Sequence, residues 1–277
     1  MTFQILCVTM EQKDFSKIDT MNIKSDVIFA NQAQRTSYSE IKFCGNHVAK
    51  MITTNTRGVG INRNVALMYA NADICLLADD DVFYHDDVEK VVLKEFKENP
   101  KADVIVFHLD STDPRRTLNK YKYTRRRGRF EKRPWGAVRI AFKLESIKRG
   151  NIWFTTLFGG GCTFANGEDS MWIDEVFRKK LKVYVSKETI GTVSMDTSSW
   201  FTGFNEKYYY SKGAFYEASY RKTVFVWMLY FVLRTHKQSE LSLRERIMWM
   251  QRGRKGYKQM RSFDLYKEDA KNYRFKI

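Results

Sequence analysis

The sequence predicts an α/β fold with a mostly parallel sheet, helices on both faces of the sheet, and a C-terminal helical extension. Over residues 1–110, short apolar strands alternate with helices, which is the order that parallel sheets require. The chain has 277 residues, of which 43% are hydrophobic, and is therefore long enough to bury a full core. After about residue 110 the alternation ends, and from residue 204 onward the pattern is helical.

The first part of the chain supplies strands and helices in turn. The predicted strands are apolar runs rich in strand-forming residues, at 4–9, 25–30, 73–78 and 104–108. A short helical segment separates the first two strands. The predicted longer helices have apolar residues three and four positions apart, at 60–70 and 86–99, and Pro100 lies just beyond the second.

The second part is less regular. Residues 121–133 hold seven Lys or Arg residues and a single Glu. A glycine-rich stretch at 159–161 follows, then a predicted helix at 169–180 and two short strands near Val183 and Ile190.

The net charge of +16 requires an anionic partner, for which nucleic acid, an anionic lipid surface and phosphorylated substrates all qualify. Residues 221–277 carry 15 basic and 5 acidic residues, so most of the excess charge is local. The four cysteines lack metal-ligand spacing and predict free thiols in a reducing compartment. No apolar stretch reaches the roughly 20 residues of a spanning helix, and we expect a cytoplasmic protein.

Three consecutive aspartates, Asp79, Asp80 and Asp81, directly follow the buried strand at 73–78. Ligands of open α/β sheets bind outside such strand ends, and three adjacent like charges repel one another unless a cation offsets them. Mg²⁺ or Mn²⁺, with oxygen ligands, is the natural partner. The structural alternative is a polar turn that caps the next helix.

These aspartates also carry a resemblance. Residues 73–84 (DICLLADDDVFY) are similar to the DxD segment of family 2 glycosyltransferases, and residues 57–67 (RGVGINRNVAL) resemble that family's G-x-x-x-x-R-N-x-A helix start. The similarity to the nucleotide-binding half runs from about residue 3 to residue 110. It continues more weakly to about residue 220, through GED at 167–169 and SSWF at 198–201. The resemblance implies the GT-A fold, with its Rossmann-like sheet.

It also implies a metal-dependent enzyme that uses a nucleotide-sugar donor, UDP being the family's usual nucleotide. Asp79 would lie near the ribose with Asp80 beside it, and Asp81 would ligate the Mn²⁺ or Mg²⁺ on the diphosphate, with Asp79 as a further candidate ligand. The remaining candidates for the nucleotide pocket are Thr9, Asn31, Gln32 and Arg63. The structural alternatives are a solvated helix residue for Arg63 and an ordinary strand end for Thr9.

Inverting glycosyl transfer needs a carboxylate that takes the proton of the acceptor hydroxyl. The resemblance matches the family's base with Asp169, and Glu168 is the second candidate. The alternative is that Asp169 only helps to cap its helix. Relatives carry a histidine or an acid before the Ser-x-Trp-like block as a metal ligand. Residues 194–200 contain no histidine, so Asp196 is the candidate, or else the ion has one protein ligand.

We expect a transferase domain over residues 1–220, with a nucleotide-binding half (1–110) and an acceptor half (111–220), followed by a basic helical extension over residues 221–277. Residues 223–233 are apolar all round but too short to span a bilayer. Residues 241–254 are basic and amphipathic and bear Trp and Met, which is typical of membrane-interface helices. The alternative is a helical hairpin that closes the acceptor side.

These features predict docking of residues 221–277 on an anionic membrane, at the inner face of the cell membrane. That position fits family members whose acceptor is a lipid-linked glycan in capsule and surface-polysaccharide synthesis. The main rival is a nucleic-acid-binding protein that uses the basic, aromatic-rich residues 121–133. Because no nucleic-acid-binding motif is present and the aspartates would stay unexplained, we expect no nucleic-acid partner.

Overall fold

The computed structural model of the protein describes residues 1–112, 120–129, 131, 136–194 and 203–274. The chain forms two compact units, each described by itself. Unit 1 consists of Met1–Arg57, Ile61–Phe154 and Trp172–Thr197, and unit 2 of Gly58–Gly60, Thr155–Met171 and Ser198–Ile277. The boundary at residue 220, which rests on composition and resemblance, remains a prediction.

One sheet organises unit 1. Within the described residues it has ten strands: β1 Phe3–Met10, β2 Asp26–Gln32, β3 Ser37–Phe43, β4 His47–Thr54, β5 Ile74–Asp79, β6 Val82–Tyr84, β7 Val104–Ser111, β8 Arg125–Arg126, β9 Ile140–Lys143 and β10 Val183–Val193. Their order is β3-β4-β2-β1-β5-β9-β7-β10-β6, with β8 paired to β10. The block β4-β2-β1-β5 is parallel, so the carboxyl ends of these strands meet at one edge.

Helices cover both faces of this sheet, as the sequence predicts. They are α1 Lys17–Thr20, α2 Val59–Tyr69, α3 Val88–Glu98, α4 Leu144–Gly150 and α5 Glu168–Arg178. Successive strand residues point to opposite faces, so Ile5 and Leu6 of β1 belong to two separate cores. The apolar side of α3 packs in the core of Ile5, whereas α2, α4 and the unit 1 part of α5 pack in the core of Leu6.

Two elements differ from the prediction. The two strands expected near Val183 and Ile190 are one strand, β10, whose pairing with β7 shifts register on either side of Thr189. Lys187 and Glu188 interrupt its apolar pattern, which explains why the sequence indicated two strands. The hairpin of β3 and β4 was not predicted, because β3 is a largely exposed edge strand without an apolar face.

The described part of unit 2 is mainly helical: α6 Glu206–Ser219, α7 Val224–Arg234, α8 Leu243–Lys258 and α9 Phe263–Arg274. Asn205 caps α6 by accepting from the Tyr208 N–H, and Ser242 with Glu245 forms a capping box at the start of α8. The core of the unit is rich in aromatic rings, including Phe158, Phe164, Tyr209, Tyr210, Phe215 and Trp249. Within the described residues, no helix has the length and apolar character needed to cross a bilayer.

The backbones of α6 and α8 touch where they cross. A Cβ on Gly213 of α6 would lie 1.9 Å from the Met250 carbonyl oxygen, and a Cβ on Gly253 of α8 would lie 1.8 Å from the Tyr210 carbonyl oxygen. Glycine at these positions therefore lets the helices approach closely. As a result the apolar side of α8, with Trp249 and Met250, is buried in unit 2.

Changing Gly213 to alanine should therefore force the two helices apart. We expect the free energy of unfolding in urea to fall by about 1–3 kcal/mol, as overpacked cores usually show. The control is Gly136→Ala, where an added Cβ meets no atom of the described residues within 4 Å and φ is −126°, so no loss is expected. A Gly213→Ala protein as stable as the wild type would contradict the close crossing.

Candidate active site

The aspartate run lies where β5 leaves the sheet. β5 ends at Asp79 and β6 begins at Val82, so the run is a short link between two strands. Val82 is buried, and the Ser194 N–H donates to the Asp81 carbonyl oxygen at 3.0 Å. The three carboxylates are thereby held at the carboxyl edge of the parallel strands, where ligands of such sheets bind.

Asp79 and Asp80 have partners inside unit 1. Arg63 Nη2 lies 3.0 Å from Asp79 Oδ1. Thr9 Oγ1 donates to Asp80 Oδ2, and Lys17 Nζ lies 3.5 Å from the same oxygen. Lys17 also donates to the Asp80 carbonyl oxygen at 3.0 Å. Two of the three negative charges are therefore offset by cations of the chain itself.

Asp81 differs from its neighbours, because its Oδ1 is buried and has no hydrogen-bond partner among the described residues. Burial, together with the charges of Asp79 and Asp80, raises the pKa of Asp81 to about 6. A buried carboxylate oxygen without a partner is unfavourable unless a cation binds it. Asp81 thus fits the predicted metal, since Mg²⁺ and Mn²⁺ commonly join one or two carboxylates to substrate phosphates.

The other two predicted metal ligands are less clearly placed. Asp79 is engaged with Arg63, so it would have to share its carboxylate between the guanidinium and the ion. Asp196 lies outside the described residues. Within the described residues, no group of three His, Cys, Asp or Glu side chains comes together as a metal site.

Arg63 is buried, and this burial excludes the alternative that it is a solvated residue on the helix surface. Its side chain is 4% exposed, and its guanidinium lies 5.4 Å from the centroid of the Phe154 ring. The neighbouring Asn62 is also buried and donates to the carbonyl oxygens of Thr9 at 3.2 Å and Ala30 at 2.6 Å. The start of α2 therefore ties the ends of β1 and β2 together and presents Arg63 to the aspartate run.

Asn31 and Gln32 occupy the end of the neighbouring strand, β2. The Asn31 amide is fully buried, accepts from the Gln12 N–H at 3.0 Å, and donates to the Gln12 carbonyl oxygen at 3.0 Å and to Thr53 Oγ1 at 3.1 Å. The Gln32 carbonyl oxygen accepts from the Glu11 N–H at 2.9 Å. Both residues hold the segment after β1, and their contact with a nucleotide remains a prediction.

Sequence reasoning missed Lys17. A single lysine in a one-turn helix belongs to no motif, and it lies 63 residues before Asp80 in the chain. The available signal is topological: α1 joins the adjacent parallel strands β1 and β2, so its side chains lie near the ends of both strands. Asn62 was missed because its partners are backbone carbonyls, which no side-chain pattern reveals.

In unit 2, Glu168 and Asp169 form the first turn of α5 and are half-buried. Gly167 before them has φ of 120°, and a Cβ there would lie 2.6 Å from the Phe215 ring. Gly159 has φ of 108° and leaves room for Glu168, whose Cδ would lie 2.9 Å from an added Cβ. The glycine-rich stretch thus contacts the start of this helix, as predicted, while the roles of the two acids remain predictions.

A lysine of α6 with an unusual environment lies in the same unit. The Lys212 ammonium is 5.2 Å from the ring centroid of Phe215, 5.5 Å from that of Tyr208 and 5.9 Å from that of Phe231. Burial lowers the pKa of Lys212 to about 8, although the charge of Glu168 partly offsets this effect. Sequence reasoning missed this residue too, because its three rings are contributed by two different helices.

A comparison with models of protein families gives a match over part of the chain. The family model described as glycosyl transferase family 2 matches residues 29–157. That range contains Arg63 and the whole aspartate run. A comparison with curated proteins gave no match.

Three crystal structures of TarS from S. aureus have a similar fold. TarS 1–349 gives a TM-score of 0.60 at 13% identity, and the match covers 95% of this chain and 93% of that chain. Its complex with UDP-GlcNAc gives 0.62 at 13% identity with the same coverage. Its complex with UDP gives 0.59 at 14% identity, covering 90% of this chain and 78% of that chain. The likeness to these structures shows that the fold of this chain is GT-A, and residues 29–157 are similar to the model of glycosyl transferase family 2.

Proposed function

We propose that this protein transfers a sugar from a UDP-sugar to a hydroxyl group of a glycan acceptor, with inversion and with Mn²⁺ or Mg²⁺, in surface-polysaccharide synthesis. On this proposal the acceptor is a lipid-linked glycan and the protein works at the inner face of the cell membrane. The observation that carries the proposal is the buried Oδ1 of Asp81, in the run after β5, which has no hydrogen-bond partner among the described residues. The fold's likeness to TarS, crystallised with UDP-GlcNAc, supports the choice of donor.

On the donor side, we expect the protein to act by holding charged side chains in fixed positions near the diphosphate. Asp81 would hold the metal ion, which would supply positive charge to offset the negative charge that develops on the departing diphosphate. Arg63 and Lys17 fix the two neighbouring carboxylates, and the strands on either side fix the backbone of the run. The Asp81 carboxylate is therefore held in place before the substrate arrives, which makes electrostatic stabilisation effective.

On the acceptor side, Asp169 is the proposed base and Glu168 the second candidate. The acceptor oxygen attacks the anomeric carbon from the face opposite the diphosphate. The bond between that carbon and the diphosphate oxygen breaks, and its electron pair leaves with the UDP. The proton of the acceptor hydroxyl passes to the carboxylate.

Nucleic-acid binding through residues 121–133 gains no support from the described part of that segment. Arg125 forms an ion pair with Glu131 at 2.7 Å, and the Arg127 guanidinium lies 5.5 Å from the centroid of the Tyr121 ring. Two basic side chains and one aromatic ring that the rival function would need are thus engaged within the protein. We therefore include no nucleic-acid partner.

The test is calorimetric titration of the protein with UDP, GDP and TDP, each with and without Mn²⁺. We expect UDP to bind with Mn²⁺ and the binding to disappear when the metal is chelated. Uridine, which lacks phosphates, is the control and should show no effect of the metal. If none of the nucleotides binds in either condition, the proposed function is wrong. Equal binding with and without metal would contradict the role of Asp81.

A further inference from the structure

One face of α7 is both apolar and exposed. Val224, Met228 and Val232 recur every four residues and are buried in the core of unit 2. The rest of this 11-residue helix exposes six large apolar side chains by 37–67%: Phe225, Val226, Trp227, Leu229, Tyr230 and Leu233. We call these six side chains the α7 face. An apolar surface of this density marks a binding site.

Only basic charges flank the α7 face along the chain. Arg221 and Lys222 precede the helix, Arg234 ends it and Lys237 follows, and all four are exposed. Residues 218–239 contain no acidic residue. The charge of this segment therefore complements an anionic surface.

The acid that precedes this segment is already neutralised. Glu217, whose side chain is 3% exposed, lies 2.8 Å from Arg254 Nε and 3.2 Å from Lys258 Nζ. The Arg254 guanidinium also lies 4.2 Å from the centroid of the Phe225 ring, so a further cation borders the α7 face. No charge of Glu217 is left to oppose the surrounding positive charge.

We propose that the α7 face docks on an anionic lipid bilayer, with the helix axis in the plane of the interface. Its 11 residues extend for about 16 Å, roughly half the hydrocarbon thickness, so the helix lies on the bilayer and does not cross it. The apolar side chains enter the boundary between headgroups and acyl chains, with Trp227 and Tyr230 at the level that such rings prefer. The basic ends contact lipid phosphates.

The sequence assigned membrane contact to all of residues 221–277 and placed most weight on the amphipathic stretch at 241–254. In the structure Trp249 and Met250 of that stretch are 6% and 0% exposed. The side of α8 that looked lipid-facing is thus part of the protein core. The membrane contact moves to α7, whose sequence shows no amphipathic pattern.

A second copy of the chain fits the α7 face less well. Both ends of the helix are basic and residues 218–239 carry no acid, so two such faces would bring like charges together in either orientation. Self-complementary interfaces need the opposite arrangement. Docking of the α7 face does not depend on the proposed function. The proposed function is needed only to explain why contact with a membrane would serve the reaction.

The experiment is co-sedimentation of the full chain with vesicles of phosphatidylcholine alone and of phosphatidylcholine mixed with phosphatidylglycerol. We expect binding to the anionic vesicles that weakens with salt. Leu229→Gln/Leu233→Gln should reduce it at least tenfold, because exposed apolar anchors are lost. The matched control Met68→Gln/Leu265→Gln, on exposed apolar residues of α2 and α9, should bind like the wild type.

A second pair of variants tests the contribution of the basic residues that flank the α7 face. Arg221→Gln/Lys222→Gln should weaken binding by about tenfold or more, whereas Lys94→Gln/Lys97→Gln on α3, with the same loss of net charge, should not. The proposal would be overturned if the wild type did not bind vesicles. It would also be overturned if each control pair lost as much vesicle binding as the pair that it is matched with. A dimer of the wild type that dissociates in Leu229→Gln/Leu233→Gln would also overturn the proposal, because the partner of the α7 face would then be a second copy of the chain. Vesicle binding by a protein that fails to bind UDP would contradict the proposed function and leave this inference standing.

Discussion

Changing Asp81 to asparagine is expected to lower sugar transfer by about 100- to 1,000-fold and to abolish Mn²⁺-dependent binding of UDP. The amide keeps the shape of the side chain but lacks the charge that holds the ion. Stability should stay the same or rise, because the buried Oδ1 has no hydrogen bond to any described residue and one of three adjacent charges disappears. The checks are UDP titration, a transfer assay and thermal unfolding on the same sample.

The matched control is Asp87→Asn. Asp87 is exposed, makes no side-chain cap at the start of α3, and should tolerate the change in every assay. Asp79→Asn provides a contrast, since it weakens the pair with the buried Arg63 and should reduce stability together with transfer. Metal-dependent UDP binding that survives in Asp81→Asn would show that the ion, if any, is held elsewhere.

The sequence predicted most strands and helices of residues 1–110, apart from the β3–β4 hairpin, because their signals are local. The run from Ile74 to Ala78 is apolar at every position, as a strand covered on both faces must be, and it ends abruptly in charge. The helix predicted at 86–99 exists as α3 because its apolar residues recur at helical spacing. Such features depend on neighbouring residues alone, so no knowledge of the remaining fold was needed.

The candidate site was predictable where parallel strands fix it. Thr9 lies near the carboxyl end of β1, and Asp79–Asp81 begin at the last residue of β5. The sequence identified both strands, and parallel strands bring their carboxyl ends to one edge. Asn31 shows the limit of this reasoning. It lies at the expected edge, but its amide bonds to Gln12 and Thr53, which strand order alone cannot reveal.

The C-terminal helices were harder, because burial there depends on distant partners. The sequence of α8 looks like a membrane-interface helix, yet Gly213 and Gly253 let α6 approach so closely that its apolar side is covered. The sequence of α7 is apolar all round and gives no sign of which side is buried. Only the positions of Val224, Met228 and Val232 in the structure separate a core side from an exposed face.

Changing Asp169 to asparagine is expected to reduce the turnover number by about 10²- to 10⁴-fold, the usual contribution of a general base, while Mn²⁺-dependent binding of UDP stays unchanged. The amide cannot accept the proton of the acceptor hydroxyl, and the residue has no role in donor binding. The measurements are single-turnover transfer and UDP titration. Loss of nucleotide binding together with turnover would contradict this division of roles.

The same change separates catalysis from helix capping. Asparagine is as good a residue as aspartate near a helix start, and the lost charge–dipole interaction is worth about 0.3–1 kcal/mol, so a purely structural Asp169 would tolerate the change with turnover intact. Glu168→Gln is the companion variant, since both acids lie in the first turn of α5. If the turnover number falls in Glu168→Gln and not in Asp169→Asn, the general base is Glu168. Full activity in both variants would show that the proton of the acceptor hydroxyl is accepted by a residue outside the first turn of α5.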